Sequence, residues 1–296
     1  MVSRAMGIGV FAVLVAACAD DRGAAPPPAT GYASPTSGAG GGHGGGSAPS
    51  GGPGCGKPAK TQAGVSVNAG GHPRTYTLVV PDGYQPNVPY PVVIALHGHG
   101  GNAAAARSQT DVEKQAGGKA IFVYPDAIKG GWDLDGNGDV LFFDTILFTL
   151  HNNNCIDNSR VFVTGFSNGA YMANQLGCRR GEKIRGVITL AGGGPYDTKG
   201  TYDGTGHLVC PQKAVAALVV HGQSDGTVAP SEGQKSIDHW TYANRCGRGT
   251  SRGSVSPCVS YDGCANPVGA CFVPGLGHAT WKEAGRVTWQ FVEAQR

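Results

Sequence analysis

Three serines in this chain lie at the centre of a G-x-S-x-G pattern, a spacing that can hold a nucleophilic serine. They are Ser167 in GFSNG, Ser224 in GQSDG and Ser251 in GTSRG. Because the chain has 50 glycines among 296 residues, chance matches are expected. A serine hydroxyl is a weak nucleophile near neutral pH and needs a base and an orienting acid beside it. The flanking sequence must therefore decide which serine can act.

Only Ser167 has the flanks that such a turn requires. A nucleophile elbow needs a strand before the serine, glycines in a tight turn and a helix after it. RVFVTG precedes Ser167, and NGAYMANQLGC follows it with apolar residues at helical spacing. Ser224 follows the apolar run AALVV, but the glycines and proline of DGTVAPSEG interrupt a helix. Ser251 has neither flank and is predicted to lie in a surface loop.

An acid and a base follow Ser167 in the chain order that elbow enzymes use. Asp225 comes directly after the apolar run AALVVHG, and His278 lies in VPGLGHATW between the last predicted strand and the last helix. We therefore predict Ser167 as nucleophile, Asp225 as acid and His278 as base. The competing residues fit less well by position or by their place inside a helix or a cysteine-rich turn; they are Asp262, His207, His221 and His239.

Two backbone N–H groups are predicted to stabilise an oxyanion. One belongs to Asn168, directly after the nucleophile. The other belongs to His99 in HGHGGN, the loop that follows the apolar run PVVIAL. Glycines in this loop allow the backbone to approach a substrate closely.

Apolar runs that read as strands alternate with helical stretches along most of the chain, which predicts a mostly parallel α/β sheet with helices on both faces. The predicted strands are 75–80, 91–96, 120–125, 160–165, 186–192, 216–222 and 270–275. The predicted helices are 103–115, 140–152, 168–178, 231–244 and 281–294. In such sheets, functional groups gather at the carboxyl ends of the strands.

The first residues have the layout of an export signal. A basic start, a short apolar run and Val15-Ala16-Ala17-Cys18 resemble a lipoprotein signal, so we predict a signal peptide over 1–17 and a lipid anchor at Cys18. A Gly-, Pro- and Ser-rich segment over 18–54 predicts a flexible tether. The catalytic domain then spans 55–296. The protein is expected to be exported, and either held at the outer membrane or cell surface or secreted.

The number of cysteines and the net charge indicate further properties of the protein. Eight cysteines follow residue 54, an even number that predicts up to four disulfides in an exported chain without fixing their pairing. The net charge of +3 comes from scattered residues and gives no indication of nucleic-acid binding.

Asp133 to Asp144, DLDGNGDVLFFD, spaces oxygen-bearing side chains as a calcium-binding loop does, with a glycine at its sixth position. A bound calcium ion and a solvated acidic turn before a helix both remain open. No cofactor is otherwise required by the predicted chemistry.

Trp132 and Trp281 adjoin the predicted site in sequence, and they could line a pocket or pack in the core.

These motifs resemble those of secreted α/β-hydrolases of the polyhydroxybutyrate depolymerase and feruloyl esterase type, related to carbohydrate esterase family one. The most specific segment is CIDNSRVFVTGFSNGAYMA, and the likeness extends over RTYTLVVPDGY, ALHGHGGNA, VVHGQSDGTV and GLGHATW. The resemblance implies an α/β-hydrolase fold, the roles given above to Ser167, Asp225 and His278, and a disulfide between Cys155 and Cys178. The segment around His278 departs from the Gly-Gly-His-x-Trp-Pro pattern of many relatives, so the rim that selects substrate is expected to differ.

The expected activity is that of a serine carboxylesterase that forms an acyl-enzyme. Feruloyl or acetyl esters of plant polysaccharide are the first substrate class, and hydroxyalkanoate oligomers are the alternative. The chain ends in its last predicted helix without a separate polymer-binding domain, which disfavours crystalline polyester. A peptidase with the same residues and a non-catalytic binding lipoprotein are the competing classes.

Overall fold

A ten-stranded sheet forms the centre of the computed structural model, which describes residues 52–295. Its strands are β1 (Gln62–Ala69), β2 (His72–Val79), β3 (Tyr90–Leu96), β4 (Ile121–Pro125), β5 (Ile156–Phe166), β6 (Gly186–Leu190), β7 (Ala216–Gly222), β8 (Thr250–Arg252), β9 (Val259–Tyr261) and β10 (Val268–Val273). The helices are α1 (Ala103–Gln109), α2 (Val112–Ala116), α3 (Gly138–Asn153), α4 (Asn168–Arg179), α5 (Pro230–Ala243) and α6 (Ala284–Ala294).

The six central strands run parallel to one another, in the spatial order β4-β3-β5-β6-β7-β10, and antiparallel strands flank them at both edges. Strand β3 shows how both faces are covered. Val92 and Ile94 pack in one apolar cluster, and the alternate residues Val93 and Ala95 pack in another. Because side chains alternate across a strand, the two clusters lie on opposite faces of the sheet. This confirms the predicted α/β fold class.

All seven predicted strands are present, and three further strands were not predicted. Strand β1 is largely exposed, and β8 and β9 have only three residues each in the cysteine-rich segment. None of them has the apolar run that marks a buried strand. Ser251 lies in β8, so the prediction of a loop there was wrong, although the residue is exposed.

The helix predicted over 103–115 is broken in two. Thr110 adopts an extended conformation between α1 and α2. The side chain of Asp111 then accepts a hydrogen bond from the side-chain Nε2 of Gln115 at 2.7 Å. Thr and Asp are weak helix formers because their side chains compete for local hydrogen bonds, and here they end one helix and begin the next.

Four disulfides pair all eight cysteines in the described residues: Cys55–Cys155, Cys178–Cys210, Cys246–Cys264 and Cys258–Cys271. The implied pairing of Cys155 with Cys178 was therefore wrong. Strand β5 begins four residues earlier than predicted and has 11 residues, whereas α4 has 12. A strand rises about 3.3 Å per residue and a helix only about 1.5 Å, so α4 runs back along only about half of the length of β5. Cys178, near the end of α4, therefore does not reach Cys155, which precedes β5.

Carboxylates of the segment from Asp133 to Asp144, for which calcium binding and a solvated turn were both open, bind other partners within the protein. Asp139 is buried and accepts a hydrogen bond from Arg74 at 2.6 Å and one from the backbone N–H of Asp133, also at 2.6 Å. Asp144 forms ion pairs with two basic side chains. Within residues 52–295, no three His, Cys, Asp or Glu side chains converge as a metal site would require. In this segment, Asp139 lies in the first turn of α3 and forms a buried ion pair with Arg74.

The predicted signal peptide, the lipidation site at Cys18 and nearly all of the tether lie outside the described residues. No helix in the described part of the chain is both long and apolar enough to cross a membrane.

The buried pair of Arg74 and Asp139 yields a stability prediction. Both side chains are at most 5% exposed, and the Arg74 guanidinium also lies 4.0 Å from the centre of the Phe142 ring. Arg74→Met leaves a buried carboxylate without its counterion, which should lower the free energy of unfolding by about 3–5 kcal/mol. Urea denaturation followed by circular dichroism measures this loss.

Two further variants test whether the loss in free energy of unfolding comes from the unpaired buried charge or from general disruption of packing. Arg107→Met removes an exposed ion pair with Glu113 and should cost less than about 1 kcal/mol. The double variant Arg74→Met/Asp139→Leu should recover part of the stability lost in the single variant. A double variant no more stable than Arg74→Met would contradict this assignment.

Candidate active site

Ser167, Asp225 and His278 meet at one edge of the sheet. Ser167 directly follows β5, Asp225 lies three residues after β7, and His278 lies five residues after β10. Because these strands are parallel, their carboxyl ends lie on the same side of the molecule. The three residues that the sequence predicted are therefore brought together by fold topology.

Ser167 occupies a strained turn between β5 and α4. Its φ of 53° and ψ of −121° lie in a region that non-glycine residues rarely adopt, at a cost of about 1–3 kcal/mol. The glycines on either side permit the turn. A Cβ at Gly165 would lie 2.2 Å from the carbonyl oxygen of Gly169, and one at Gly169 would lie 2.5 Å from the carbonyl oxygens of Leu96 and His97. This is the geometry that the G-x-S-x-G pattern predicted for Ser167.

His278 bridges the serine and the acid. Its Nε2 lies 3.0 Å from Ser167 Oγ, and its Nδ1 lies 2.8 Å from Asp225 Oδ2. Because an ionised carboxylate only accepts hydrogen bonds, Nδ1 carries the proton and Nε2 is the free base that accepts from the Ser167 hydroxyl. The arrangement can take a proton from Ser167 when its oxygen attacks an electrophile.

Asp225 is held as a buried carboxylate. Burial by itself raises the pKa of Asp225, but hydrogen bonds from His278 and from the backbone N–H groups of Val228 and Thr227 lower it, and the net pKa lies below the usual value. The two backbone donors lie 2.9 Å from Oδ1, which leaves Oδ2 for His278. Asp225 is therefore ionised at neutral pH and can stabilise a protonated His278.

The acid loop and the base loop are in direct contact. The Ser224 backbone N–H donates to the Leu276 carbonyl at 2.9 Å. A Cβ at Gly222 would lie 2.2 Å from that same carbonyl oxygen. The first glycine of the second G-x-S-x-G match, Gly222, is therefore needed for this contact between the two loops. Ser224 itself is exposed.

The competing residues do not reach Ser167 in a catalytic geometry. His221 is fully buried, with Nε2 3.0 Å from the Val228 carbonyl and 3.5 Å from Asp225 Oδ2, so it packs behind the acid. His239 lies 3.5 Å from the sulfur of Cys210, and His207 stacks on Tyr242. Asp262 accepts a hydrogen bond from the exposed Ser251.

The loop after β3 lies against the serine. A Cβ at Gly98 would lie 3.5 Å from the Cβ of Ser167. Asn168 is the first residue of α4. Backbone N–H groups at a helix N-terminus have no partner within the helix, and the positive end of the helix dipole lies there. In the described part of the chain, no hydrogen bond engages the backbone N–H of Asn168 or of His99. Both predicted donors therefore remain available to an oxyanion.

His97 and Trp132 brace this loop, and the sequence did not predict that role. His97 is buried; its Nε2 accepts from the Ala127 backbone N–H at 3.1 Å, so its Nδ1–H donates to the Gly98 carbonyl at 2.7 Å. The Trp132 indole donates to the His97 carbonyl at 2.8 Å, and the Trp132 backbone N–H donates to the Asn168 side chain at 2.8 Å. The only sequence signal was the position of His97 directly after a buried strand.

Trp132 and Trp281 are both buried, at 6% and 9% exposure, and each belongs to one of the two apolar clusters. Of the two roles that the sequence left open, core packing is the one that the structure supports. Trp132 combines that packing with the hydrogen bonds that fix the loop beside Ser167.

Several known proteins are similar to this chain in sequence. Residues 142–252 match the family described as Phospholipase/Carboxylesterase. Feruloyl esterase C of Emericella nidulans is 31% identical over 227 residues, which cover 73% of this chain and 79% of that protein. A probable feruloyl esterase C of Aspergillus terreus is 32% identical over 227 residues, with the same coverage of both chains.

Two solved structures agree with the fold at lower identity. An acetyl xylan esterase from Aspergillus awamori superposes with a TM-score of 0.60 at 15% identity, over 74% of this chain and 94% of that one. A ferulic acid esterase from Anaeromyces mucronatus superposes with a TM-score of 0.53 at 17% identity, over 80% of this chain and 91% of that one. The relatives above 30% identity over most of their length confirm the resemblance, and this chain belongs to the esterase family of α/β-hydrolases that includes the fungal feruloyl esterases C.

Proposed function

We propose that this protein is a serine carboxylesterase that hydrolyses feruloyl or acetyl esters of plant polysaccharide. The observation that carries the proposal is the chain of contacts from Ser167 Oγ through His278 to the buried Asp225, which begins at a strained elbow. The relatives named for feruloyl and acetyl xylan esters support the substrate class.

In the proposed acylation step, Ser167 Oγ attacks the ester carbonyl carbon and its proton passes to His278 Nε2. The ionised Asp225 stabilises the imidazolium that forms. The negative charge on the carbonyl oxygen is stabilised by the backbone N–H groups of His99 and Asn168. When the tetrahedral intermediate collapses, the bond to the alcohol breaks, and the alcohol leaves with the proton from His278.

The second half of the proposed reaction releases the acid. His278 Nε2 takes a proton from water, and the resulting hydroxide attacks the acyl-enzyme carbonyl under the same two N–H groups. Collapse returns the proton from His278 to Ser167 and frees the carboxylic acid. Side chains and backbone of this chain supply each proton transfer and each oxyanion contact, so the proposal includes no cofactor.

The triad assignment predicts which serine is reactive. Ser167→Ala should abolish covalent labelling by a fluorophosphonate probe, since the probe reacts with the activated hydroxyl. Asp225→Asn should lower kcat by about 10⁴-fold because it destabilises the required tautomer of His278. Labelling detected by mass spectrometry and hydrolysis of methyl ferulate give the two measurements.

Ser224→Ala is the matched control, because Ser224 is the centre of the second G-x-S-x-G match and is exposed. It should keep full labelling and activity. Labelling that survives in Ser167→Ala but disappears in Ser224→Ala would contradict the assignment, and an unlabelled wild-type protein would support the non-catalytic alternative.

Substrate class is tested by a panel of esters. We expect kcat/KM for methyl ferulate or acetylated xylan to exceed that for hydroxybutyrate oligomers, and we expect peptide substrates to be left uncleaved. Preference for hydroxybutyrate oligomers would replace polysaccharide esters with polyesters as the substrate class. Cleavage of peptides alone would refute the esterase assignment.

The four disulfides are typical of proteins from oxidising compartments, and we propose that the protein is exported and anchored through a lipid on Cys18. Cys18→Ser should move the protein from the membrane fraction to the soluble exported fraction of the producing cell. It should also prevent incorporation of labelled palmitate. An unchanged distribution between the fractions would argue against the anchor and for a secreted protein.

A further inference from the structure

A long loop separates two of the strands that carry the site. Strands β6 and β7 are neighbours, yet the segment that connects them runs from residue 191 to residue 215 without a helix or a named strand. Connections longer than about 12–15 residues without secondary structure are uncommon in compact domains and are frequently functional. This loop leaves the sheet at the same edge as Ser167.

The start of the loop passes directly beside the nucleophile. A Cβ at Gly192 would lie 3.0 Å from the Ser167 carbonyl oxygen, and one at Gly193 would lie 2.9 Å from the Tyr171 ring and 2.7 Å from a carboxylate oxygen of Glu232. Only glycines fit at these contacts. The loop is therefore held between the first turn of α4 and the first turn of α5.

One carboxylate joins the site to the rest of the loop. Glu232 on α5 accepts hydrogen bonds from the hydroxyl of Tyr171 at 3.3 Å and from that of Tyr196 at 2.5 Å. Its other oxygen pairs with Lys235 at 2.7 Å. Tyr171 is one helical turn beyond Ser167, and its backbone N–H donates to the Ser167 carbonyl at 3.2 Å. The Tyr196 ring follows, with its centre 6.1 Å from that of the Tyr171 ring.

Beyond Tyr196, the loop and α5 enclose a groove of about 210 Å³. The loop contributes Tyr202 and His207, and α5 contributes Lys235 and Asp238. This volume is below the range of about 300–1,000 Å³ that is usual for sites enclosing drug-sized ligands, and it suits one ring of a longer ligand.

The groove walls are fixed before any ligand binds. The Tyr202 hydroxyl accepts from the Asp197 backbone N–H at 3.2 Å, and Asp203 closes a turn by accepting from the backbone N–H groups of Thr205 and His207. At its far end, the loop is tied to α4 by the disulfide between Cys178 and Cys210. A preorganised wall lowers the entropic cost of binding.

The groove chemistry suits a neutral, hydroxyl-rich ligand. Tyr202, which is 45% exposed, offers an aromatic ring, and Asp238 and Lys235 offer an acceptor and a donor. Lys235 is already paired with the Glu232 carboxylate, and Asp238 adds a negative charge to the lining, so an anionic ligand is disfavoured. Aromatic faces with a few polar groups beside them match the apolar faces and hydroxyl edges of sugar rings.

From this we infer that the groove formed by Tyr196, Tyr202, His207, Lys235 and Asp238 is a binding site for the neutral sugar chain of an ester substrate, remote from the bond that is cleaved. The inference rests on the proposed function for its substrate class. The acyl group must lie at Ser167 itself, whereas the groove begins beyond Tyr171 and Tyr196 and is suited to the alcohol side of the ester.

Binding of the sugar alone tests the groove independently of any hydrolysis. We expect a xylan-derived oligosaccharide without ester groups to bind the wild-type protein in a calorimetric or NMR titration. Tyr202→Ala should weaken that binding about tenfold, and Tyr202→Phe, which keeps the ring, should retain most of it. Phe148→Ala removes an exposed aromatic side chain on α3 that does not line the groove and should leave binding unchanged.

Hydrolysis then shows which part of the substrate the groove holds. Tyr202→Ala should raise KM for a feruloylated xylan oligosaccharide about tenfold and change kcat/KM for methyl ferulate less than about twofold. A parallel loss on methyl ferulate would overturn the inference, because the groove would then serve the acyl group. Equal oligosaccharide binding by wild type and Tyr202→Ala, or no binding by wild type, would also overturn it.

These results are separable from failure of the proposed function. A wild-type protein that cleaves no ester would refute the esterase proposal. The titration with unesterified oligosaccharide would still decide whether the groove binds sugar.

Discussion

The close approach of α4 to the end of β3 is the constraint on which the site depends. Gly169 lies against the carbonyl oxygens of Leu96 and His97 so tightly that any side chain there would collide with them. This contact holds Ser167 at its positive φ, because the helix cannot move away from the strand without losing its packing. It also sets the distance between the nucleophile and the loop that carries His99. One contact thus fixes both the attacking oxygen and one proposed oxyanion donor.

The remaining parts of the site are built on similar close contacts between loops. The acid loop approaches the base loop at Gly222 and Leu276, where only a glycine fits. His97 and Trp132 hold the β3 loop through hydrogen bonds to backbone atoms, so its shape does not depend on a ligand. Preorganised donors stabilise a developing charge without reorganisation during the reaction. The glycines at this edge of the sheet therefore permit the close contacts that set the geometry of the proposed catalytic site.

The sequence predicted the parts of this arrangement that local pattern determines. Buried parallel strands have continuous apolar runs, and strand order along the chain then puts Ser167, Asp225 and His278 at one edge. It did not predict contacts between residues far apart in the chain. Arg74 lies 65 residues from Asp139, and nothing local to the DLDGNGD segment indicates that its aspartate is paired with an arginine and not with calcium. The disulfide pairing failed for a related reason, since it depended on the length of β5, and the start of that strand has no apolar run.

The proposed catalytic residues and the proposed sugar-binding groove are held in place by different parts of the fold. The triad stands at the ends of parallel strands whose positions are set by the core, and small changes there would disturb several contacts at once. The loop from 191 to 215 places its first glycines against the site, and its remaining residues are held by the hydrogen bond from Tyr196 to Glu232, by turns within the loop and by Cys178–Cys210. Its middle can therefore vary in sequence without moving Ser167. In the proposed function, this long, disulfide-secured loop lets the proposed catalytic residues select among esters that differ far from the reacting carbonyl.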